Sequence, residues 1–234
     1  PTRYLADESN RGMKTTNWTT WQLIDASFPG GGFAHSGGLE AAWRRGVVQT
    51  GGDLERFVQD SLVQSGRGLV PFLLEAHGAR QAIDAVDADC HAWLSNHVAN
   101  KASRTLGRSF LAAAEAAFGR EELAELRETI VSGSSPGHYA VVFGHTAGLL
   151  GLARNRTAEV FLYIQLRDMI SAAVRLNVVG PLFGQGLLYR LGPFVEQFTE
   201  DCADRPPERA AQTAPVIELI SQTHDRLYTR LFQS

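Results

Sequence analysis

The stretch "TAEVFLYIQLRDMISAAVRL", residues 157–176, carries the clearest secondary-structure signal in this sequence. Its apolar side chains recur at intervals of three and four residues, as they do along one face of an α-helix. These side chains are Val160, Phe161, Ile164, Ile170 and Val174. The pattern predicts an amphipathic helix that packs one face against a core.

Three further stretches show helical spacing of apolar residues: residues 53–74, 89–118 and 213–232. Asp53 is the predicted N-cap of the first stretch. Two glycines and Pro71 interrupt that stretch, which indicates either two helices or one kinked helix. No run of alternating apolar and polar residues accompanies these stretches, so we expect no substantial β-sheet.

The sequence therefore predicts an all-α fold, a single-domain helical bundle of roughly eight to ten helices that covers residues 18–234. Residues 1–17 are predicted to form a flexible N-terminal extension. Glycine, serine and proline cluster at residues 132–137, and residues 201–212 contain two adjacent prolines, so both stretches are predicted loops. We find no internal repeat and no break in composition that would indicate a second domain.

The composition excludes several classes of partner. A formal net charge of −3 argues against a nucleic-acid partner bound through a broad basic surface. No apolar run approaches the ~20 residues that a membrane-spanning helix needs. The two cysteines, Cys90 and Cys202, lie far apart, and their scarcity suits a reducing compartment. We expect a cytoplasmic protein with no nucleic-acid and no membrane partner.

The sequence contains no motif that indicates a nucleotide-binding site or a metal-binding site. A phosphate-binding P-loop needs a lysine after its glycines, but the only lysines, Lys14 and Lys101, follow no glycine-rich loop. The seven histidines include no pair at the i, i+4 spacing that places two ligands on one face of a helix. We expect no catalytic residue, no bound metal ion and no cofactor.

The stretch "DASFPGGGFAHSGGLEAAW", residues 25–43, allows two interpretations. It can be a turn after a helix that ends near Ser27, with Ser36 or a nearby glycine capping a helix that begins near Leu39. It can also be a contact surface, because aromatic anchors on a closely approachable backbone suit protein–protein interfaces. A hydrolase that uses His35 and Ser36 remains an alternative, although sequence neighbours lack the geometry in which an imidazole activates a hydroxyl.

Three segments resemble a known family. "WQLIDASFPGGGFAHSGGLEAA", residues 21–42, resembles the N-terminal signature of the F-type urease accessory proteins (UreF). "LRDMISAAVRLNVVGP", residues 166–181, and "YTRLFQS", residues 228–234, are similar to later family segments and occur in the same order. The resemblance extends from about Trp18 to Ser234 and is greatest to the plant-type members.

This resemblance implies an all-helical, non-enzymatic chaperone of nickel insertion into urease. Family members dimerise and bridge a nickel-binding GTPase (the G-type accessory protein) and a scaffold (the D- or H-type). The complex then delivers nickel to apo-urease. A generic helical adaptor unrelated to urease remains the other alternative.

The resemblance also implies two partner surfaces. The surface expected to face the GTPase and the dimer partner comprises Pro29, Phe33, His35, Ser36, Gly38, Leu39, Glu40, Arg175, Asn177, Gly180 and Pro181. The surface expected to face the scaffold lies in residues 223–234 and comprises Leu227, Arg230, Leu231 and Phe232.

Overall fold

The computed structural model describes residues 11–79 and 82–234 and, for residues 11–17, the helical backbone alone. The predicted N-terminal extension, residues 1–17, therefore lies largely outside the described residues, and its flexibility stays a prediction.

Eleven α-helices and three short 3-10 helices follow one another in the described residues, and no strand occurs among them. This confirms the predicted all-α class. The α-helices are α1 (Arg11–Ile24), α2 (Leu39–Arg44), α3 (Gly51–Gly68), α4 (Val70–Gly78), α5 (Ile83–Trp93), α6 (His97–Phe118), α7 (Glu121–Val131), α8 (Tyr139–Leu149), α9 (Arg154–Arg175), α10 (Pro181–Cys202) and α11 (Pro215–Ser221). The 3-10 helices are Gly32–Ala34, Pro207–Arg209 and His224–Arg226.

Helix α8 lies at the centre of the bundle, with residues 140–147 all buried. It packs against α4, where Gly144 and Gly148 face the carbonyl oxygens of Leu73 and His77. A Cβ at either glycine would overlap this backbone, so the two glycines allow α4 and α8 to approach closely. Burial on all sides explains why α8 is apolar all round. No helix in the described part of the chain is both long enough and apolar enough to cross a bilayer.

Helix α9 packs against α3, α8 and α10 and confirms the helix predicted from residues 157–176. Four of its predicted core residues are buried, and Val174 is half-buried. The helix begins at Arg154, one turn earlier than the pattern indicated. Thr157 lies inside it, where its hydroxyl donates to the carbonyl of Ala153 at 3.1 Å.

The structure corrects two predicted helix boundaries. The N-cap of α3 is Thr50 rather than Asp53: the Thr50 hydroxyl accepts the Asp53 N–H at 3.2 Å, and the Asp53 carboxylate accepts the Thr50 N–H at 3.0 Å. This reciprocal pair is a capping box. The helix predicted over residues 89–118 is divided between α5 and α6, because Asn96 caps α6 by accepting the N–H groups of Val98 and Ala99.

The helix predicted over residues 213–232 is wrong beyond Ser221, where α11 ends. A single 3-10 turn, His224–Arg226, follows, and the chain then becomes extended at Leu227. The N–H groups of Leu231 and Phe232 donate to the Glu40 carboxylate on α2, and the N–H group of Gln233 donates to the Ala34 carbonyl, so none of them donates to a carbonyl one turn earlier. Tertiary hydrogen bonds thus replace the helical ones that the apolar spacing indicated.

Candidate partner-binding site

The first family-like segment forms a loop of residues 29–38, here called the motif loop. Gly31, Gly37 and Gly38 have φ values of 83°, 61° and 84°, a region that disfavours residues with a Cβ. Gly38 is the N-cap of α2, and the Ser36 hydroxyl accepts the Glu40 N–H at 3.3 Å. The predicted cap by Ser36 or a nearby glycine is therefore confirmed.

Residues 223–234, here called the tail, lie along the motif loop. The Ser36 N–H and the Ser36 hydroxyl both donate to the backbone oxygen of Ser234, at 2.6 and 2.8 Å. The Gln233 N–H donates to the carbonyl of Ala34 at 2.8 Å. The Nδ1 atom of His35 also contacts the Ser234 hydroxyl. Four hydrogen bonds thus join two segments that are almost 200 residues apart.

Glu40 connects the start of α2 to the tail. One carboxylate oxygen accepts the Leu231 N–H at 2.7 Å, and the other accepts the Phe232 N–H and contacts Nε2 of His224, both at 3.0 Å. The Glu40 and His224 side chains are both fully buried. A buried carboxylate is tolerated only when hydrogen bonds replace its hydration, and here the tail supplies them.

Arg175, at the end of α9, joins the same site through its guanidinium group. The group lies 3.7 Å from the ring centroid of Phe33 and 4.3 Å from that of Phe232. It also donates to the Phe33 carbonyl oxygen. Stacking on two aromatic faces stabilises the arrangement by roughly 0.5–2 kcal/mol per ring. Arg175, from the second family-like segment, therefore contacts one residue of the first segment and one of the third.

The rest of the second family-like segment ends one helix and begins the next. Asn177 has a φ of 58° and donates to the carbonyl of Val174, while Val178 donates to that of Ala173. This pair of hydrogen bonds is a Schellman motif, which ends α9. Gly180 is the N-cap of α10, and Pro181 occupies its first turn, where a missing N–H costs nothing.

The two surfaces predicted from the resemblance are thus one composite site. Phe33 is 63 % exposed and Leu231 is 53 % exposed. The other exposed members are Pro29, Asn177, Gly180, Pro181 and Arg230, while His35, Arg175 and Leu227 are half-buried.

Five of the predicted contact residues are buried within the chain: Ser36, Gly38, Leu39, Glu40 and Phe232. Direct contact with a partner is incompatible with this burial, so the expected place of these five residues on the partner-facing surface needs correction. These five residues support the surface from within the chain. That the exposed members bind partners stays a prediction.

The electrostatics of the site follow from this burial. Burial by itself raises the pKa of Glu40, but the hydrogen bonds from Leu231, His224 and Phe232 together outweigh it and lower that pKa. Burial lowers the pKa of His35, and the nearby His224 adds to the effect. His224 and Ser234 lie in the predicted segment 223–234, but their contacts with Glu40, Ser36 and His35 were not predicted, because no local pattern indicates a partner so distant along the chain.

The contacts of Ser36 do not support the hydrolase alternative. Its hydroxyl donates to the backbone of Ser234, and the His35 imidazole contacts the Ser234 hydroxyl rather than that of Ser36. The two side chains therefore lack the hydrogen bond by which a histidine activates a serine. Among the residues that the structure describes, no group of three or more His, Cys, Asp and Glu side chains is placed to hold a metal ion.

The fold and the site define a class of protein: an all-helical domain in which a glycine-rich loop, a helix end and a tail form one bonded surface. The UreF family model matches residues 48–192. The chain is 36 % identical over 219 residues to urease accessory protein F of Oryza sativa subsp. indica, a match covering 92 % of this chain and 84 % of the relative. It is 33 % identical over 229 residues to the Arabidopsis thaliana protein of the same name, covering 96 % and 95 %.

A bacterial relative, urease accessory protein UreF of Arthrobacter sp., is 29 % identical over 217 residues, covering 91 % of this chain and 95 % of the relative. The chain belongs to the UreF family. The greater identity to the plant relatives confirms the resemblance to plant-type members. Membership also removes the alternative of a helical adaptor unrelated to this family.

Proposed function

We propose that this protein acts in urease maturation as a non-enzymatic chaperone. In this proposal it bridges a nickel-binding GTPase of the G-type and a scaffold of the D- or H-type, and the complex delivers nickel to apo-urease. Family membership and the names of the curated relatives support the link to urease. A homodimer and a cytoplasmic location are part of the same proposal.

The observation that carries the proposal is the connection of the motif loop to the tail through Glu40 and Arg175. A bridging protein has to hold two partners in a fixed relation to each other. Because the loop expected to face the GTPase and the tail expected to face the scaffold share hydrogen bonds and a stacked guanidinium, they form one rigid surface. Binding of the GTPase to the motif loop would then stabilise the tail conformation that binds the scaffold, and binding of the scaffold would stabilise the motif loop in the same way.

The exposed apolar side chains of this surface are suitable anchors. Phe33 is exposed on the motif loop, where the Arg175 guanidinium stacks on its ring, and Leu231 is exposed on the tail, where its N–H donates to Glu40. Large apolar or aromatic side chains at the centre of an interface contribute most of its binding energy. The supporting contacts hold them in place before binding, which reduces the entropy lost on association.

Co-purification with the GTPase and the scaffold from the same organism tests the proposal. We expect the wild-type chain to form a complex that contains both proteins, detected by native mass spectrometry. Phe33→Ala should weaken GTPase recruitment by about tenfold or more, and Leu231→Ala should do the same to scaffold binding. Val131→Ala, at a 78 % exposed position on α7 outside the site, is the matched control. Failure of the wild-type chain to bind either protein would refute the proposal.

A further inference from the structure

Two histidines outside the partner-binding site contact each other where α5 meets the start of α8. Nδ1 of His91, on α5, lies 3.0 Å from Nε2 of His138, the N-cap of α8. A hydrogen bond between two imidazole nitrogens needs one protonated and one unprotonated nitrogen. His138 is fully buried, whereas His91 is exposed. The contact therefore joins a buried imidazole to one that can exchange protons with water.

The neighbours of His91 assign the direction of this hydrogen bond. Nδ2 of Asn100 donates to the Leu94 carbonyl oxygen at 2.9 Å, which fixes the orientation of the Asn100 amide because a carbonyl oxygen can only accept. The same Nδ2 atom lies 3.4 Å from Nδ1 of His91, so Nδ1 faces a second donor. Nδ1 of His91 is therefore the acceptor, and Nε2 of His138 is the donor.

The other nitrogen of His138 agrees with this assignment. With its proton on Nε2, the ring leaves Nδ1 as an acceptor, and the Ser103 hydroxyl lies 3.1 Å from Nδ1. The Ser103 oxygen accepts the Tyr139 N–H at 3.2 Å, so the Ser103 hydroxyl proton is available to His138. One neutral form of the two rings thus satisfies all these contacts.

The surroundings of His138 keep that ring neutral as the pH falls. Among the described residues, the charged and titratable groups that face it are Asp87 and His91 from α5 and Arg104 from α6. Burial lowers the pKa of His138 to about 4, opposed by Asp87 and assisted by His91 and Arg104. Above that pH, a proton taken up by the pair therefore binds to His91. It binds to Nδ1, because Nε2 of the neutral ring already carries one.

We propose that His91 is a proton-operated latch on the turn between α5 and α6, residues 94–96. The neutral ring holds α5 to α8 through His138 and to α6 through Asn100. A proton on Nδ1 replaces the acceptor with a donor, so two N–H groups face each other and the exposed His91 ring turns towards solvent. The latch then opens, and the turn becomes looser.

The turn that the latch holds also supports α11. Nδ2 of Asn96, which is buried in this turn, donates to the Glu218 carboxylate and to the Ser221 hydroxyl, both at 2.7 Å. His97, the next residue, contacts the Asp225 carboxylate at 3.0 Å and is another titratable group at the turn. Opening of the latch therefore loosens α11 as well. All these contacts lie within one chain, so the inference does not depend on the proposed function.

Amide hydrogen exchange of the isolated chain at pH 7.5 and 5.5 tests the latch, with protection factors corrected for the intrinsic effect of pH. The reporters are Leu94 and Ser95 at the turn and Gln222 after α11, whose N–H groups each donate to a backbone carbonyl. We expect their protection to fall about tenfold at pH 5.5, the equilibrium equivalent of one hydrogen bond. His91→Asn, whose Oδ1 can accept in place of Nδ1 and does not titrate, should keep the high protection at both pH values.

His97→Asn, which removes the other titratable ring at the turn, is the matched control and should show the wild-type fall in protection. Imidazole ¹⁵N chemical shifts of the wild-type chain provide a second measurement, which does not depend on the folding of any variant. We expect His91 to gain a proton between pH 7.5 and 5.5, while His138 stays neutral with its proton on Nε2.

The proposal is overturned if protection is the same at both pH values, or if folded His91→Asn loses protection as the wild-type chain does. It is also overturned if His138 moves its proton to Nδ1 and keeps the contact with a protonated His91. A fall that disappears in His97→Asn would assign the effect to the contact with Asp225 and would overturn it too. Unchanged protection at Gln222 would refute the connection to α11.

Discussion

Glu40 accepts a hydrogen bond from the N–H of Phe232 at 3.0 Å, although 192 positions separate the two residues along the chain. The same carboxylate accepts the N–H of Leu231 and contacts His224. The tail is therefore part of the folded domain, and the glycine-rich motif is partly a device for holding the tail. This relationship changes what mutations at either segment are expected to do.

Glu40→Gln is expected to lower the free energy of unfolding by about 2–4 kcal/mol, because the amide carries donors where two N–H groups and a histidine need an acceptor. Urea denaturation followed by circular dichroism measures the change. Glu128→Gln, an exposed position on α7, is the matched control and should shift the free energy by less than about 0.5 kcal/mol. An unchanged free energy for Glu40→Gln would mean that the tail is not held by this carboxylate.

Two adjacent tail residues separate stability from partner binding. Phe232→Ala removes a side chain that is 4 % exposed, and it should cost about 3–5 kcal/mol of stability. Leu231→Ala alters an exposed position, so its stability should stay within about 0.5 kcal/mol while scaffold binding weakens. Thermal unfolding and a pull-down with the scaffold measure both effects.

Deletion of residues 223–234 should lose both stability and binding, since it also removes every tail donor to Glu40. Equal stability of the two point variants would contradict this assignment.

Gly38→Ala is expected to destabilise the fold by more than the same change at Gly119. Both glycines have positive φ, 84° and 59°, so backbone strain of about 1 kcal/mol or more is common to them. A Cβ at Gly38 would lie 2.8 Å from Cβ of Ser221, whereas Gly119 has no neighbour within 4 Å. The difference in unfolding free energy isolates the contact between the motif loop and α11. Identical losses for the two variants would rule out that contact.

The stability of the protein should fall as the pH is lowered from 7 to about 4. Burial, helped by His91 and Arg104 and opposed by Asp87, lowers the pKa of His138 to about 4. The unfolded chain takes up this proton near pH 6.5, so stability is fully present above that pH and is lost as the pH falls below it. The contribution of His138 is at most about 3 kcal/mol. His35 and His145 have lowered pKa values and act in the same direction. Denaturation at pH 7.5, 6 and 5 measures the slope.

His138→Gln, which keeps a hydrogen-bonding side chain without a titrating imidazole, should reduce this slope without abolishing it. Below about pH 4.3 the lowered pKa of Glu40 adds a further loss, because protonation of Glu40 removes the acceptor that holds the tail. A variant with the wild-type slope would show that the sensitivity arises elsewhere.

The isolated chain is expected neither to hydrolyse GTP nor to bind Ni²⁺ tightly. The expectation follows from the missing P-loop in the sequence and from the scattered positions of the histidines. Isothermal titration calorimetry with NiCl₂ measures nickel binding, and a phosphate-release assay measures GTP hydrolysis. A dissociation constant below about 1 µM would overturn the metal half. A dimer-dependent site would then appear as binding that varies with protein concentration.

Much of the fold could be predicted because helix formation is encoded locally. The spacing of Val160, Phe161, Ile164 and Ile170 places them on one face of α9, and all four are buried. The break between α3 and α4 lies among Gly66, Gly68 and Pro71, where backbone chemistry alone opposes a continuous helix. Residues 132–137 also form a loop, as their glycines and serines indicated.

The sequence by itself determined the helical class and the turn conformations of the glycine-rich loop, since both depend on residues that are close together in the chain. It also indicated the family, through three short segments that can each be recognised without the fold. Only the tertiary structure decided that Glu40 is buried and that Arg175 stacks between Phe33 and Phe232. It also decided that residues 222–234 do not continue the helix that their apolar spacing indicated. The physical reason is that a backbone N–H group donates to any well-placed acceptor, so a buried carboxylate 191 positions away can replace the carbonyls of a helix.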